Sequence, residues 1–225
     1  MTDPLHAHGS IEPGAVALED MPLTGDRKAP PPGRVTWEQF LAWSDEDAWG
    51  EWVDGKVVQM APSNLDHQDE IGFLYRLIAA FVEARQLGRV FVGGALMRLA
   101  NRPSGRIPDL LFVLSEHADR LHPTYIDGPA DLVVEIVSPE SDARDHGDKF
   151  VEYEAAGIPE YWLIDPIRRH AFFYELGEDM RYRPGPIDKD GYFRSTVLTG
   201  FRLRIAWLWQ RPLPAVADVT RELGV

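Results

Sequence analysis

The chain has 225 residues, of which 44% are hydrophobic, enough for one sizeable core with extensions at either end. It contains no cysteine, which excludes disulfides, thiolate zinc sites and cysteine nucleophiles, so any metal ion must be held by oxygen or imidazole ligands. The formal net charge of -13 would repel a phosphate polymer at long range, so nucleic-acid binding would require a local basic patch, bound cations or both.

Residues 1–33 are predicted to form an N-terminal arm or linker. They are rich in proline, glycine and acidic side chains, lack hydrophobic periodicity and end in "APPPG". His6 and His8 lie in this arm, where a solvated tail explains them better than a metal-binding pair. The sequence shows no signal peptide and no apolar run near the roughly 20 residues that span a bilayer, so we expect a cytoplasmic protein that does not enter a membrane.

One domain is predicted over residues 34–211, followed by a short C-terminal tail at 212–225. Thr36 and Gln39 form a predicted capping box for a short helix in "VTWEQFLAW". The dipeptide Asp54-Gly55 lies between two segments of alternating polarity and predicts a two-residue β-hairpin turn.

The middle of the chain combines a long helix with several strands. Asp66 is the predicted N-cap of the helix, whose apolar residues recur at helical spacing until it ends before Gly88. A strand or a pair of strands is predicted in "RVFVGGALMRLA". Further strands are predicted at 106–114 and 131–137.

A second helix follows the strand at 131–137. Ser141 or Asp145 is its predicted N-cap, and it is predicted to end at Gly157. Because the strand "EYWLID" comes next, the strands on either side of this helix form a predicted parallel, right-handed βαβ unit. The remaining segments, "HAFFYEL", "RYRPG", "GYFRSTVL" and "FRLRIAWLW", are predicted as strands separated by polar turns.

Glu135 is a carboxylate within an otherwise apolar strand, "DLVVEIVSPES". A buried, ionised glutamate costs several kcal/mol unless it is paired, hydrogen-bonded or bound to a metal ion. The sequence therefore predicts that a compensating group lies close to this side chain.

The path of the chain indicates two such groups. If strands 107–114 and 131–137 are antiparallel neighbours, Asp109 lies early in the first strand and therefore beside Glu135, which is late in the second. The strand continues for about 7 Å beyond Glu135, and the following helix returns over a similar length. This return brings Lys149 level with the two carboxylates.

Two carboxylates and an ammonium group form a set that suits phosphodiester hydrolysis. Asp109 and Glu135 can hold Mg²⁺ or Mn²⁺, which prefer oxygen ligands, and Lys149 can position or activate a water. Each residue also has an ordinary interpretation. A Pro-Asp pair is common at a strand start, and Lys149 could pair with Asp145 on a solvated helix face. Their predicted convergence favours a metal-dependent phosphodiesterase.

Four segments together carry a resemblance to a known family: "EWVDGKVVQMAPSNLDH", "IPDLLFV", "DLVVEIVSPES" and "DHGDKFVEYEAAGIPEYWLIDP". Over roughly residues 35–205 the chain resembles the Uma family of putative restriction endonucleases, in the PD-(D/E)XK nuclease superfamily. The resemblance implies an α/β, restriction-endonuclease-like fold: a mixed central β-sheet flanked by helices, here with extra C-terminal β-strands. It also implies an endonuclease that uses Mg²⁺ or Mn²⁺ and acts on DNA.

The resemblance assigns roles residue by residue. Asp109 and Glu135 would be metal ligands, together with the backbone carbonyl of Ile136, and Lys149 would act at the nucleophilic water. The superfamily usually places this lysine two residues after the acidic residue, where this chain has Val137. The resemblance implies that the lysine has moved to the following helix, in agreement with the length argument.

Six further positions match the family pattern: Glu51, Asp54, Gly55, His67, Tyr153 and Tyr161. His67 is expected either to hydrogen-bond a ligand carboxylate or touch a phosphate, or to be a satisfied core histidine. Glu51 is either a further carboxylate near the metal or the partner of a nearby cation, and the structural role is favoured. Tyr153 is expected to orient Lys149 or to pack against it.

Arg98, Arg102 and Arg106 cluster just before the predicted site and are candidate phosphate-binding residues, although a solvated loop explains them equally well. Cutting both strands of a duplex requires two sites, which favours a homodimer. Two other functions stay open. One is a non-catalytic interaction or metal-binding module, which the net charge of -13 favours, and the other is hydrolysis of small phosphoesters.

Overall fold

The structure is a computed structural model. It describes residues 28–45, 48–60, 64–99, 102–138 and 147–225. Most of the predicted N-terminal arm, with His6 and His8, lies outside these residues, and so do the predicted caps Ser141 and Asp145.

The described residues form helices packed on two sheets and a two-stranded ribbon. The helices are α1 (Trp37–Trp43), α2 (Leu65–Arg85), α3 (Lys149–Ala156), α4 (Ile205–Leu208) and α5 (Val216–Leu223). The six-stranded central sheet contains, in spatial order, β11 (Tyr182–Pro184), β10 (His170–Leu176), β9 (Glu160–Asp165), β8 (Leu132–Ile136), β6 (Leu110–Leu114) and β3 (Gly88–Val92). The five-stranded sheet contains β2 (Lys56–Gln59), β1 (Gly50–Val53), β5 (Ser104–Arg106), β4 (Met97–Leu99) and β7 (Ile126–Asp127), and the ribbon consists of β12 (Tyr192–Arg194) and β13 (Arg202–Arg204). The predicted fold class, a mixed central sheet flanked by helices with additional C-terminal strands, is confirmed.

Local sequence signals account for the first elements. The side chain of Thr36 accepts a hydrogen bond from the N–H of Gln39, whose side chain accepts one from the N–H of Thr36, so the predicted capping box opens α1. Asp54 and Gly55 join β1 to β2 with φ angles of 49° and 78°, the left-handed values of a two-residue hairpin turn.

The long helix α2 begins two positions earlier than predicted. The side chain of Asn64 accepts a hydrogen bond of 2.9 Å from the N–H of His67, so the N-cap is Asn64 and the prediction of Asp66 is wrong. Asp66 lies instead in the first turn, where the helix dipole favours a negative charge. The helix ends at Gln86, before Gly88 as predicted. None of the helices in the described segments combines the length and apolar composition needed to cross a bilayer.

The strand β8 organises the central sheet. It pairs antiparallel with β6, with Leu110 opposite Val134, and parallel with β9. The connection from β8 to β9 contains α3, which ends at Gly157 in a left-handed conformation. Both the antiparallel neighbours and the parallel βαβ unit predicted from the sequence are present.

Alternate residues of β8 face opposite sides of the central sheet. Val134 belongs to the core beneath α2, whereas Val133 and Val137 belong to the core that contains Tyr153 of α3. By the same alternation, Glu135 faces α3. The apolar neighbours of Glu135 thus fill both cores, and its own side chain points at the helix predicted to carry its partner.

The predicted strand at 106–114 is divided between the two sheets. β5 ends at Arg106 in the five-stranded sheet, and β6 begins at Leu110 in the central sheet. Pro108 lies between them, and a proline cannot donate a ladder hydrogen bond, which favours a break at this position. The chain therefore crosses between the sheets at this point, with Arg106 in the five-stranded sheet and Asp109 just before the start of β6 in the central sheet.

The C-terminal part differs from the prediction in two places. "FRLRIAWLW" is a strand only in β13, and its apolar run "IAWL" forms α4, because a short apolar run fits either element. Residues 212–225, treated above as a tail, contain α5. Its apolar residues Val216, Val219 and Leu223 recur at helical spacing, and the last two are buried in the same core as α2.

Gly88 lies where the edge strand β3 closely approaches its neighbour β6. A Cβ at this position would lie 2.1 Å from the carbonyl oxygen of Val113, so we expect Gly88→Ala to lower the free energy of unfolding by about 1–3 kcal/mol. Gly72 is a matched control within α2, where a Cβ would meet nothing within 4 Å, and Gly72→Ala should raise stability by about 0.5–1 kcal/mol. Urea denaturation of the two variants measures both effects, and equal shifts would contradict the close approach of β3.

Candidate active site

Asp109 and Glu135 lie at the same end of the β6–β8 pair. The paired register ends with Leu110 opposite Val134; Asp109 precedes Leu110, and Glu135 follows Val134. The two carboxylates are held from opposite sides of the central sheet, because Asp109 contacts His67 of α2 and Glu135 contacts Lys149 and Tyr153 of α3.

The carboxylate of Asp109 is held by groups from two elements. Its Oδ2 accepts a hydrogen bond of 2.7 Å from the N–H of Ile136 and lies 3.0 Å from Nε2 of His67. Its side chain keeps 18% exposure, whereas that of His67 is 9% exposed. His67 therefore makes the contact with a candidate ligand carboxylate that the sequence predicted as one of its alternatives, and Asp109 still reaches solvent.

The carboxylate of Glu135 is buried and is held from α3. Its Oε1 lies 2.8 Å from Nζ of Lys149 and accepts a hydrogen bond of 2.7 Å from the hydroxyl of Tyr153. Burial, followed by the charge of Glu135, raises the pKa of Tyr153 well above its ordinary value, so the hydroxyl keeps its proton and donates it. Lys149 and Tyr153 are one turn apart on α3, which explains why both reach the same oxygen.

Arg106 forms a buried bridge that the sequence did not predict. Its guanidinium donates to Oε2 of Glu51 at 2.9 Å and to both carboxylate oxygens of Glu152 at 2.7 Å. Ser104 donates a further hydrogen bond to Glu152. Burial lowers the pKa of Arg106, but the hydrogen bonds and charges of Glu152 and Glu51 outweigh that effect and raise it, so the guanidinium stays charged. We call this group of four side chains the arginine bridge.

The arginine bridge changes the roles expected for two residues. Arg106 is only 1% exposed and already donates to two carboxylates, so it does not offer a surface to phosphate. Glu51 is the partner of cations, as favoured above, and not an open carboxylate. No local sequence pattern predicts that Glu152 belongs to the site. The one indication in the sequence is that Glu152 follows Lys149 by three residues on the same helix.

Glu51 connects the arginine bridge to Lys149. Its Oε1 accepts a hydrogen bond of 3.1 Å from the N–H of Ile107 and lies 3.9 Å from Nζ of Lys149. Burial alone would raise the pKa of Glu51, but the positive charges of Lys149 and Arg106 outweigh burial and hold that pKa below its ordinary value. Glu51 is therefore ionised at neutral pH and adds negative charge beside the lysine.

The other two candidate arginines reach the surface. Arg98 lies over the ring of Trp37 and 3.6 Å from Asp127, with 35% of its side chain exposed. Arg102 lies 3.1 Å from Asp54 and 3.7 Å from Glu152, with 36% exposure. Either arginine can bind a ligand only if part of its existing ion pair is broken.

The charges of the site favour an additional cation. The charged side chains are four carboxylates and three cations: Asp109, Glu51, Glu135 and Glu152, and Arg102, Arg106 and Lys149. Among the described residues, no three His, Cys, Asp or Glu side chains form a group that could hold a metal ion, so a site built wholly of such side chains does not fit. Mg²⁺ binds through one or two carboxylates and keeps several waters, and the pair Asp109 and Glu135 fits that requirement.

The chain is similar to known proteins over most of its length. A family model described as "Uma2: Putative restriction endonuclease" matches residues 37–206. The crystal structure of "a putative nuclease belonging to DUF820 from Anabaena variabilis ATCC 29413" is similar with a TM-score of 0.64 and 18% sequence identity, over 78% of this chain and 97% of that chain. At this identity the likeness shows the fold alone. A search of curated proteins gives no significant match.

Removal of the buried guanidinium should destabilise the fold. In Arg106→Met, Glu51 and Glu152 lose their shared partner while buried, so we expect the free energy of unfolding at neutral pH to fall by about 3–5 kcal/mol. Arg183→Met breaks the exposed pair with Asp179 and should cost at most about 1 kcal/mol. Urea denaturation compares the two variants, and equal losses would show that the bridge does not stabilise the fold.

The lowered pKa of Glu51 predicts a specific acid sensitivity. Because this pKa is lower in the folded protein than the ordinary value of 4.5, the stabilising contribution is complete above that value and is lost as the pH falls through the folded-state pKa. We expect wild-type stability to fall more steeply than that of Glu51→Gln when the pH decreases from about 5 to about 3. Urea denaturation across this pH range measures how the free energy of unfolding of each protein depends on pH. Equal slopes for wild type and Glu51→Gln would contradict the lowered pKa of Glu51.

Proposed function

The chain belongs to the Uma2 family, and from this premise we propose that it is a metal-dependent endonuclease that hydrolyses DNA phosphodiester bonds. The family and the fold support a nuclease at the coarse level. One observation carries the finer proposal: Asp109, just before β6, and Glu135, near the end of β8, lie at the same end of the β6–β8 pair, with Nζ of Lys149 2.8 Å from Glu135. This is the set of groups that phosphodiester hydrolysis with a hard cation needs.

The proposed metal ligands are Asp109, Glu135 and the backbone carbonyl of Ile136. A bound Mg²⁺ or Mn²⁺ would supply charge stabilisation at a phosphate oxygen and a more acidic water. The described residues prepare these ligands: His67 and the N–H of Ile136 fix the carboxylate of Asp109, and Tyr153 fixes that of Glu135. Partners of this kind typically change metal affinity or activity by about 10–100-fold when removed.

Lys149 is proposed to hold the attacking water and to stabilise negative charge on the phosphate. Its ammonium group lies 2.8 Å from Glu135 and 3.9 Å from Glu51, so both carboxylates fix its position at the end of the β6–β8 pair. An ammonium group donates up to three hydrogen bonds, which allows it to keep Glu135 and also donate to a water or a phosphate oxygen. The proton released by the water would pass to solvent.

A non-catalytic interaction module on the same fold is the second candidate. It is favoured by the net charge of -13 and by the ion pairs that Arg98 and Arg102 already make with Asp127 and Asp54. The homodimer, the cytoplasmic location and the DNA substrate remain predictions. A cation bound by Asp109 and Glu135 would reduce the electrostatic repulsion of the DNA phosphate that is to be hydrolysed.

Isosteric substitutions of the two carboxylates test the catalytic proposal. We expect wild-type protein to nick plasmid DNA with Mg²⁺ or Mn²⁺, and Asp109→Asn and Glu135→Gln each to reduce the rate by about 100-fold or more, because a metal ligand is lost while the shape is kept. Agarose gels measure the rate, and circular dichroism checks that both variants fold. Glu116→Gln removes an exposed carboxylate outside the site and should leave the rate unchanged.

Two results would refute the proposal. One is cleavage that proceeds at the wild-type rate in both Asp109→Asn and Glu135→Gln. The other is the absence of Mg²⁺ or Mn²⁺ binding to the wild-type protein in calorimetry. Metal binding without cleavage of plasmid or single-stranded DNA would favour the non-catalytic module.

A further inference from the structure

A pocket of about 250 Å³ adjoins the candidate active site on the side of α2. His67, which contacts Asp109, forms part of its wall. Val137 follows β8 and Ile167 follows β9, so the pocket lies where the two parallel strands of the central sheet end. In open α/β sheets this edge is the usual place for a ligand. The pocket therefore shares a wall with the site that would hold the reacting phosphate.

Two arginines line the pocket. Arg211 donates to the carboxylate of Glu70 and to backbone carbonyls, and 47% of its side chain is exposed. Arg169 makes no side-chain hydrogen bond or ion pair with any residue in the described ranges of the chain. Asp66 is the one carboxylate among the lining residues, and it lies on the exposed first turn of α2. The pocket thus contains two arginines and one carboxylate, and the guanidinium of Arg169 is exposed and has no partner among the described residues.

Arg169 is the last residue of the turn at 166–169 that joins β9 to β10. Its φ is 55°, in the left-handed region where glycine or asparagine is the easier choice. The tight connection between the paired strands β9 and β10 accounts for this conformation, as the hairpin turn does for Asp54. The side chain of Arg169 is exposed and lines the pocket, where it can meet an anion from solvent.

The rest of the wall suits the nucleoside next to a phosphate. Val137 and Ile167 are apolar, and the half-buried indole of Trp209 offers an aromatic surface. Aromatic and apolar side chains beside cationic groups are the usual surface for single nucleic-acid strands, on which bases stack while the cations contact phosphates.

We propose that this pocket binds the backbone phosphate adjacent to the scissile one, with Arg169 as its main contact and Arg211 as a second. Trp209 and Ile167 pack against the neighbouring sugar or base. The proposal deepens the proposed function and rests on it. It also answers the charge problem, because one guanidinium without a partner at the correct position gives a strongly acidic protein a local anion site.

Fluorescence anisotropy with a 5′-labelled single-stranded oligonucleotide tests the pocket. Ca²⁺ replaces Mg²⁺ so that a hard cation is present at the carboxylates. We expect Arg169→Gln to weaken binding by about tenfold or more, because a charge-assisted hydrogen bond is lost. The slope of log affinity against log salt should also decrease by about 0.7, the value for one phosphate contact on a single strand.

Two matched variants separate a phosphate contact from other causes. Arg168→Gln removes the same charge from the adjacent residue, which pairs with Asp165, and should leave the salt slope unchanged. Arg169→Gly relieves the left-handed strain and should raise the thermal midpoint while it still weakens binding. A loss of affinity in Arg169→Gly cannot then be attributed to unfolding.

The outcomes distinguish this proposal from the proposed function. Wild-type affinity and salt slope in Arg169→Gln, or equal effects of Arg168→Gln, would overturn the pocket and leave the nuclease intact. Failure of the wild-type protein to bind the oligonucleotide would overturn the pocket as well. Binding that depends on Arg169, with no cleavage in Mg²⁺ or Mn²⁺, would support the pocket and refute the catalytic proposal.

Discussion

The buried guanidinium of Arg106 is the constraint on which the candidate site depends. It joins β5 to β1 through Glu51 and to α3 through Glu152, so one side chain fixes three elements around the crossing between the two sheets. A buried cation with two carboxylates tolerates little displacement, because each charge loses several kcal/mol of compensation when its partner moves. Glu152 lies on α3, which also carries Lys149 three residues earlier. The arginine bridge therefore fixes the distance between Lys149 and Glu135.

The two carboxylates of the site differ in environment, and the difference fits different tasks. Glu135 is buried and bound to Lys149 and Tyr153, which makes it a fixed reference point for the charged groups around it. Asp109 is partly exposed, and its orientation is set by His67 and by the N–H of Ile136. Under the proposed function, a solvated cation would meet the exposed carboxylate of Asp109 first, whereas the carboxylate of Glu135 is already held in place by Lys149 and Tyr153.

The sequence predicted those parts of the site that follow from local pattern and chain length. Asp109, Glu135 and Lys149 could be brought together because strand pairing and helix rise have fixed dimensions. The link from Arg106 to Glu152 spans 46 residues and joins two elements with no shared pattern, so nothing in the sequence indicated it. Asn64 and Asp66 are equally good N-caps by residue type, and only the path of the chain before α2 decides between them.

The position of the lysine on a helix has a consequence for how such a site can change. A lysine on β8 would be tied to its acidic neighbour by the fixed two-residue period of a strand. On α3 it can be advanced, turned or tilted by changes in the loop and in the packing of the helix, while the carboxylates keep their places. Position 137 is then free of the catalytic role that the proposed function gives to Lys149, and its valine forms part of a pocket wall. Under that proposal, the position of the lysine and the positions of the carboxylates can change independently.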